Sequence, residues 1–170
     1  MPLKEYFEKV KGMEPAPIEK IFAYTQHQAQ KTGLYFNYEK TIAANTSNAH
    51  RISHLAKTKS AELQSQAEEL LFRAYFIEGK DVNSAKVLME IGQKLGFEPN
   101  EVKRVLTEKQ FNNGIAQDIQ EATVLDIQVV PYFIFNKHTI ISGVQEEAKI
   151  LQALESAYQQ WKENNTSTDS

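Results

Sequence analysis

His50 and His54 stand four residues apart in a stretch with helical spacing, which puts both imidazoles on one helix face, within reach of a shared metal ion. A zinc-hydrolase helix would also carry a glutamate in the pattern H-E-x-x-H. Here Arg51 follows His50, so no metal site is assigned, and His50 is expected to pack or cap near Asn45. Nucleophiles are equally scarce. The sequence contains no cysteine, which excludes from these residues a thiolate nucleophile, a disulfide, a zinc–thiolate site and an iron–sulfur cluster. No serine lies in a G-x-S-x-G elbow, and the seven glycines form no phosphate-cradling loop. No cofactor is expected.

Residues 90–106 read like a helix-turn-helix, with a short glycine-containing turn between two apolar stripes. The charges oppose DNA binding. Glu98 and Glu101 open the second helix, where they would repel the phosphates that supply most of the affinity. The whole chain, with 19 Lys+Arg against 22 Asp+Glu, offers no basic surface. An αα-hairpin is the preferred reading, helix-turn-helix DNA binding is the weakest of the functional alternatives, and no nucleic-acid partner is expected.

The elements that must position these residues are mostly helical. A chain of 170 residues is long enough to bury roughly 70% of its unfolded surface without a disulfide or metal. Apolar stripes predict helices over residues 3–10 and 18–29, from an Asn45 or Thr46 cap to 57, and over 60–78 with Gly79 as a left-handed stop. Asn83 or Ser84 opens the next, Pro99 begins another, and Phe111, Ile115, Ile119 and Ala122 mark a further stripe. Residues 129–135 are β-branched and aromatic and predict a strand. Asn136 and Lys137 turn it into a second strand at 138–142, and a last helix carries Ile150, Leu151, Leu154, Tyr158 and Trp161. The aromatics at 35, 36, 38, 75, 76 and 111 read as core packing. One physical difficulty remains. A lone hairpin is marginal in water, and Tyr132 to Phe135 is apolar enough to be buried on both faces, as inside a larger sheet.

Four segments carry a resemblance. Asn45-Thr46-Ser47-Asn48-Ala49-His50-Arg51 and Phe72-Arg73-Ala74-Tyr75-Phe76-Ile77-Glu78-Gly79-Lys80-Asp81-Val82 are followed by Val129-Val130-Pro131-Tyr132-Phe133 and Ser142-Gly143-Val144-Gln145. With them the chain resembles the DsbA-like thioredoxin family, of the FrnE type, over nearly its whole length. The resemblance implies a mainly α fold: a helical insertion at residues 1–126, a thioredoxin-fold remnant of hairpin plus helix at 127–161, and a frayed polar tail at 162–170, the first two forming one compact unit. It also implies that Met1 falls where the insertion begins. The opening β-α-β unit with the family's Cys-x-x-Cys pair would then be absent, which accounts for both the orphan hairpin and the missing thiols.

Family members are disulfide oxidoreductases or isomerases, and this chain is expected to lack that activity because exchange needs a thiolate. No catalytic residue is assigned. What the resemblance leaves is a substrate-contact loop at Val130 and Pro131. A cis peptide bond there would expose the main chain to pair with an extended peptide or protein substrate. Asn45, Thr46, His50, Arg51, Gly79, Asp81, Gly143 and Gln145 are carried over as family-motif residues. The alternative is a helical interaction module whose hairpin edge pairs with a second copy, giving a homo-oligomer. The N-terminal twenty residues are charged and alternating, and no run approaches the roughly 20 apolar residues of a membrane span, so a cytoplasmic protein without a membrane partner is expected.

Overall fold

A computed structural model describes residues 1–166; residues 167–170 of the stretch expected to fray lie outside the described residues. The described chain is mainly helical. In order it forms α1 (Leu3–Lys9), α2 (Pro15–Lys31), α3 (Ser47–Lys57), α4 (Ala61–Phe72), a π-helical turn (Arg73–Ile77), α5 (Ala85–Lys94), α6 (Pro99–Thr107), α7 (Asn112–Val124), β1 (Tyr132–Phe135), β2 (Thr139–Ser142) and α8 (Glu147–Thr166). It divides into two compact units, residues 1–117 and those from Asp118 onward, the division falling inside α7. No described helix is long and apolar enough to cross a membrane.

The core of the first unit lies between α3, α4, α5 and α6. Ile52, Leu88, Val102 and Val105 are fully buried there, with Leu55, Ala67, Leu71 and Ile91 around them. Each buried Leu, Ile or Val side chain among them contributes about 1.5–3 kcal/mol by leaving water. The αα-hairpin of α5 and α6 closes tightly because Gly92 has no side chain: a Cβ there would lie 2.5 Å from Val102 Cγ2. Helix caps are partly as expected. Ser60 accepts the Leu63 N–H at 3.0 Å, and Pro99 begins α6. At α3 the Thr46 side chain makes no cap bond, and Asn45 Oδ1 instead takes the Ser47 N–H at 2.9 Å. Before α5 neither Asn83 nor Ser84 caps through its side chain; Asp81 Oδ1 accepts the Asn83 N–H at 2.8 Å.

Three features were not foreseen. The first is that residues 41–43, to which the apolar spacing assigns no element, pair with the start of the chain: Pro2 bridges Ile42, and Leu3 N–H donates to the Thr41 carbonyl at 2.9 Å. The second is the π-helical turn, where the expected helix over 60–78 changes its period. Glu78 N–H reaches back five residues to the Arg73 carbonyl at 3.0 Å, and the wider turn redirects Tyr75 and Phe76. Phe76 stacks on Phe36 (4.9 Å between centroids), Phe36 meets Tyr38 edge-on, and Tyr38 stacks on Phe22 (4.4 Å). Tyr35, expected in the core with them, is 66% exposed, because the aromatic row uses every second residue of this extended link. The third concerns Phe111. It stands before α7 at φ 63°, not on its stripe, and its ring stacks on His54.

Arg51 is buried with neutral partners. Its Nη1 donates to Asn48 Oδ1 at 3.1 Å, its Nη2 to Asn112 Oδ1, and its buried Nε has no partner among the described residues. No carboxylate offsets the charge among these contacts, so burial of this guanidinium costs stability and its two amide partners only reduce that cost.

In the second unit β1 and β2 form an antiparallel hairpin with Ile134 opposite Ile140, turning through Asn136 and Lys137, both at positive φ. The strand begins at Tyr132, three residues later than the apolar run suggested. Its two faces also differ. Phe133, Phe135 and Ile141 are half-buried, whereas Ile134 and Ile140 are exposed, so among the described residues the strand is not covered on both sides. Contacts with α8 account for the covered face. That helix runs to Thr166, into the segment expected to fray. Asn165 Nδ2 donates to the Trp161 carbonyl at 2.8 Å in its last turn.

Gly79 sits at φ 64°, and a Cβ there would lie 2.8 Å from the Lys40 carbonyl oxygen; Gly12, also at φ 64°, has open space around it. Urea denaturation should therefore show Gly12→Ala losing about 1 kcal/mol from positive φ alone, and Gly79→Ala losing more, about 2–4 kcal/mol, because backbone must also move. Equal losses would show that the Lys40 contact is soft. For Arg51, the same measurement should place Arg51→Met within about 1 kcal/mol of wild type or above it, and Asn112→Ala about 1–3 kcal/mol below.

Candidate functional site

In the second unit the loop before β1 is held from one side. Gly143, at φ 72°, donates its N–H to the Pro131 carbonyl at 2.8 Å, and Gln145 Nε2 donates to the Ser142 carbonyl at 3.1 Å. The Val130–Pro131 peptide is cis. Val130 is 77% exposed, and neither its N–H nor its C=O is hydrogen-bonded to another main-chain group among the described residues. A main-chain donor and acceptor are thus presented to solvent at the start of a strand. Such an edge can hydrogen-bond an extended chain, and it holds no group able to transfer a proton or attack an electrophile.

The motif residues of the first unit converge elsewhere. Thr46 at the N-cap of α3 and Ala49, His50 and Ser53 within it recur at i, i+3, i+4 and i+7 and form one wall of a cavity of about 400 Å³. Leu71 and Phe72 at the end of α4, Tyr75 and Phe76 from the π-helical turn, and Val82 form the rest. The lining is largely apolar. At its polar end Glu68 Oε1 accepts from Ser53 Oγ at 2.9 Å and from Gln64 Nε2 at 3.1 Å. Burial pushes the Tyr75 phenol up, with nearby Tyr38 adding to the rise, so it remains a neutral hydroxyl through the physiological range.

The remaining motif residues serve the walls. Asn45 caps α3, Asp81 fixes the turn before α5, Gly79 permits the chain to pass close to Lys40, and Arg51 points into the packing between α3 and Asn112. The two histidines part company: His50 lines the cavity, whereas His54 stacks on Phe111 and meets Gly114. Sequence reasoning missed the cavity because it assigned Tyr75 and Phe76 to the core and singled out His50 without its wall. The i, i+3, i+4, i+7 series of small and polar residues on α3 was the available signal.

A family model described as the DSBA-like thioredoxin domain matches residues 2–155. Among solved structures, the crystal structure of a probable DsbA oxidoreductase from Streptomyces coelicolor superimposes with a TM-score of 0.82 at 24% sequence identity. The match covers 93% of this chain and 68% of that one, and it shows a shared fold. No curated protein matches the sequence. The match of the family model over nearly all of the sequence, with the helices and hairpin of that fold, means that this chain belongs to the DSBA-like thioredoxin domain family.

Proposed function

We propose that this chain is a FrnE-type member of its family that performs no thiol–disulfide exchange itself and contacts extended peptides through Val130 and Pro131. The observation that carries this reading is the open main chain of Val130, in a sequence of 170 residues without a thiol. Exchange proceeds by attack of a thiolate on a disulfide sulfur, and no other side chain substitutes for that nucleophile. Binding through main-chain atoms is tolerant of peptide sequence, which suits a protein that meets many unfolded segments.

A second reading rests on the hairpin. Its strands pair only with each other among the described residues, and Ile134 and Ile140 are 39% and 53% exposed. Leu151, Leu154, Tyr158 and Trp161 of α8 are exposed as well. Open strand edges flanked by apolar side chains are templates for pairing with a second copy.

Insulin reduction in the presence of dithiothreitol should proceed at the rate of the buffer alone; turnover above that background would overturn the first half of the proposal. An unstructured peptide should bind the chain, and methylating its main-chain nitrogens should weaken binding at least about tenfold, whereas shuffling its side chains should change it little. Gly143→Val, which strains the residue that holds Pro131, should weaken the same peptide. If shuffling matters as much as methylation, the contact is not a main-chain one. Light scattering at tens of micromolar distinguishes the second reading. A dimer that Ile140→Lys dissociates supports it, and a monomer at that concentration removes it.

A further inference from the structure

We propose that the cavity walled by α3, α4 and the π-helical turn binds a small organic cation, an apolar or aromatic body carrying a protonated amine. The requirement comes from Glu68. This half-buried carboxylate receives hydrogen bonds from Ser53 and Gln64, both on Oε1 and both from neutral groups, and it forms no ion pair among the described residues. Its Oε2 has no hydrogen-bond partner among them. With both neutral donors on Oε1, the Oε2 of this half-buried side chain is left open to a donor, and an ammonium placed against it would gain more there than at an open surface.

The walls suit the rest of such a ligand. Tyr75 and Phe76 meet at 88° with centroids 4.9 Å apart, and Phe72 tilts toward Phe76 at 6.3 Å, so three rings offer faces in different directions around one space. Aromatic faces of this kind attract ammonium groups through their quadrupoles and bury the carbon body that accompanies them. A volume of about 400 Å³ holds a ligand of modest size. Phe72 is 59% exposed and Ser53 is buried, which makes Phe72 the mouth and the Ser53–Glu68 pair the inner end. The orientation follows: amine inward against Glu68, hydrocarbon toward Phe72. The proposal does not depend on peptide binding at the Val130 loop.

Calorimetric titration of the full chain with phenethylammonium, 2-phenylethanol and 3-phenylpropionate tests the assignment. The cation should bind saturably, the alcohol of similar size roughly tenfold or more weakly, and the anion not detectably. Glu68→Gln keeps an acceptor for Ser53 and should lower cation affinity about tenfold while leaving the alcohol unchanged. Phe72→Ala, at an exposed ring, should weaken cation and alcohol together, with the far-ultraviolet circular dichroism spectrum of each variant matching wild type. Absence of saturable cation binding overturns the proposal. So does equal affinity for cation and alcohol in wild type, or an undiminished cation affinity in folded Glu68→Gln.

Discussion

The close passage of the chain at Gly79 over Lys40 determines much of the first unit. Only a residue without a Cβ fits between that carbonyl and the turn, and Gly79 takes the left-handed conformation that ends the preceding helix. Just before that stop, the last turn of the helix widens between Arg73 and Ile77. The widened turn sends Phe76 onto Phe36 and so joins the π-helical turn to the aromatic row that reaches Tyr38 and Phe22. Tyr75 and Phe76 then become cavity walls facing α3. A regular α-helix through this stretch would rotate both rings by a large fraction of a turn, since each inserted residue shifts side chains by about 100°.

The two sites differ in what they can do. At Val130 the recognisable feature is backbone, an N–H and C=O at the entrance to a strand, so specificity for side chains is low and geometry is set by Gly143 and Pro131. In the cavity the feature is side chain, one carboxylate among aromatic rings, so selectivity for charge is high. Neither includes a thiol. The chain shares its fold with a probable oxidoreductase, and fold alone does not transfer that chemistry.

The sequence made helix identity plain wherever apolar spacing was strong: α5 and α6, with Leu88, Ile91, Val102 and Val105, appear where the stripes placed them. Gly79 marked its helix stop correctly, because positive φ is a local property. What it concealed was non-local. Nothing in residues 41–43 announces pairing with Met1 and Pro2, and no spacing rule distinguishes a π-helical turn from a continuing α-helix. The family motifs showed which residues to watch without showing why. Thr46 and His50 turned out to line a cavity, whereas Arg51 beside them turned into the packing. The strand at 132–135 was found by composition, but its burial was overestimated because apolar content does not specify which face is covered.

Amide chemical-shift mapping on the full chain during titration with an unstructured, cysteine-free peptide tests the central claim most directly, since it reports main-chain contact residue by residue. Shifts should concentrate at Val129, Val130, Tyr132 and Gly143, with the amides of Ser53, Glu68 and Tyr75 unmoved. No shift at Val130 at saturating peptide, or shifts confined to the helical unit, would contradict it.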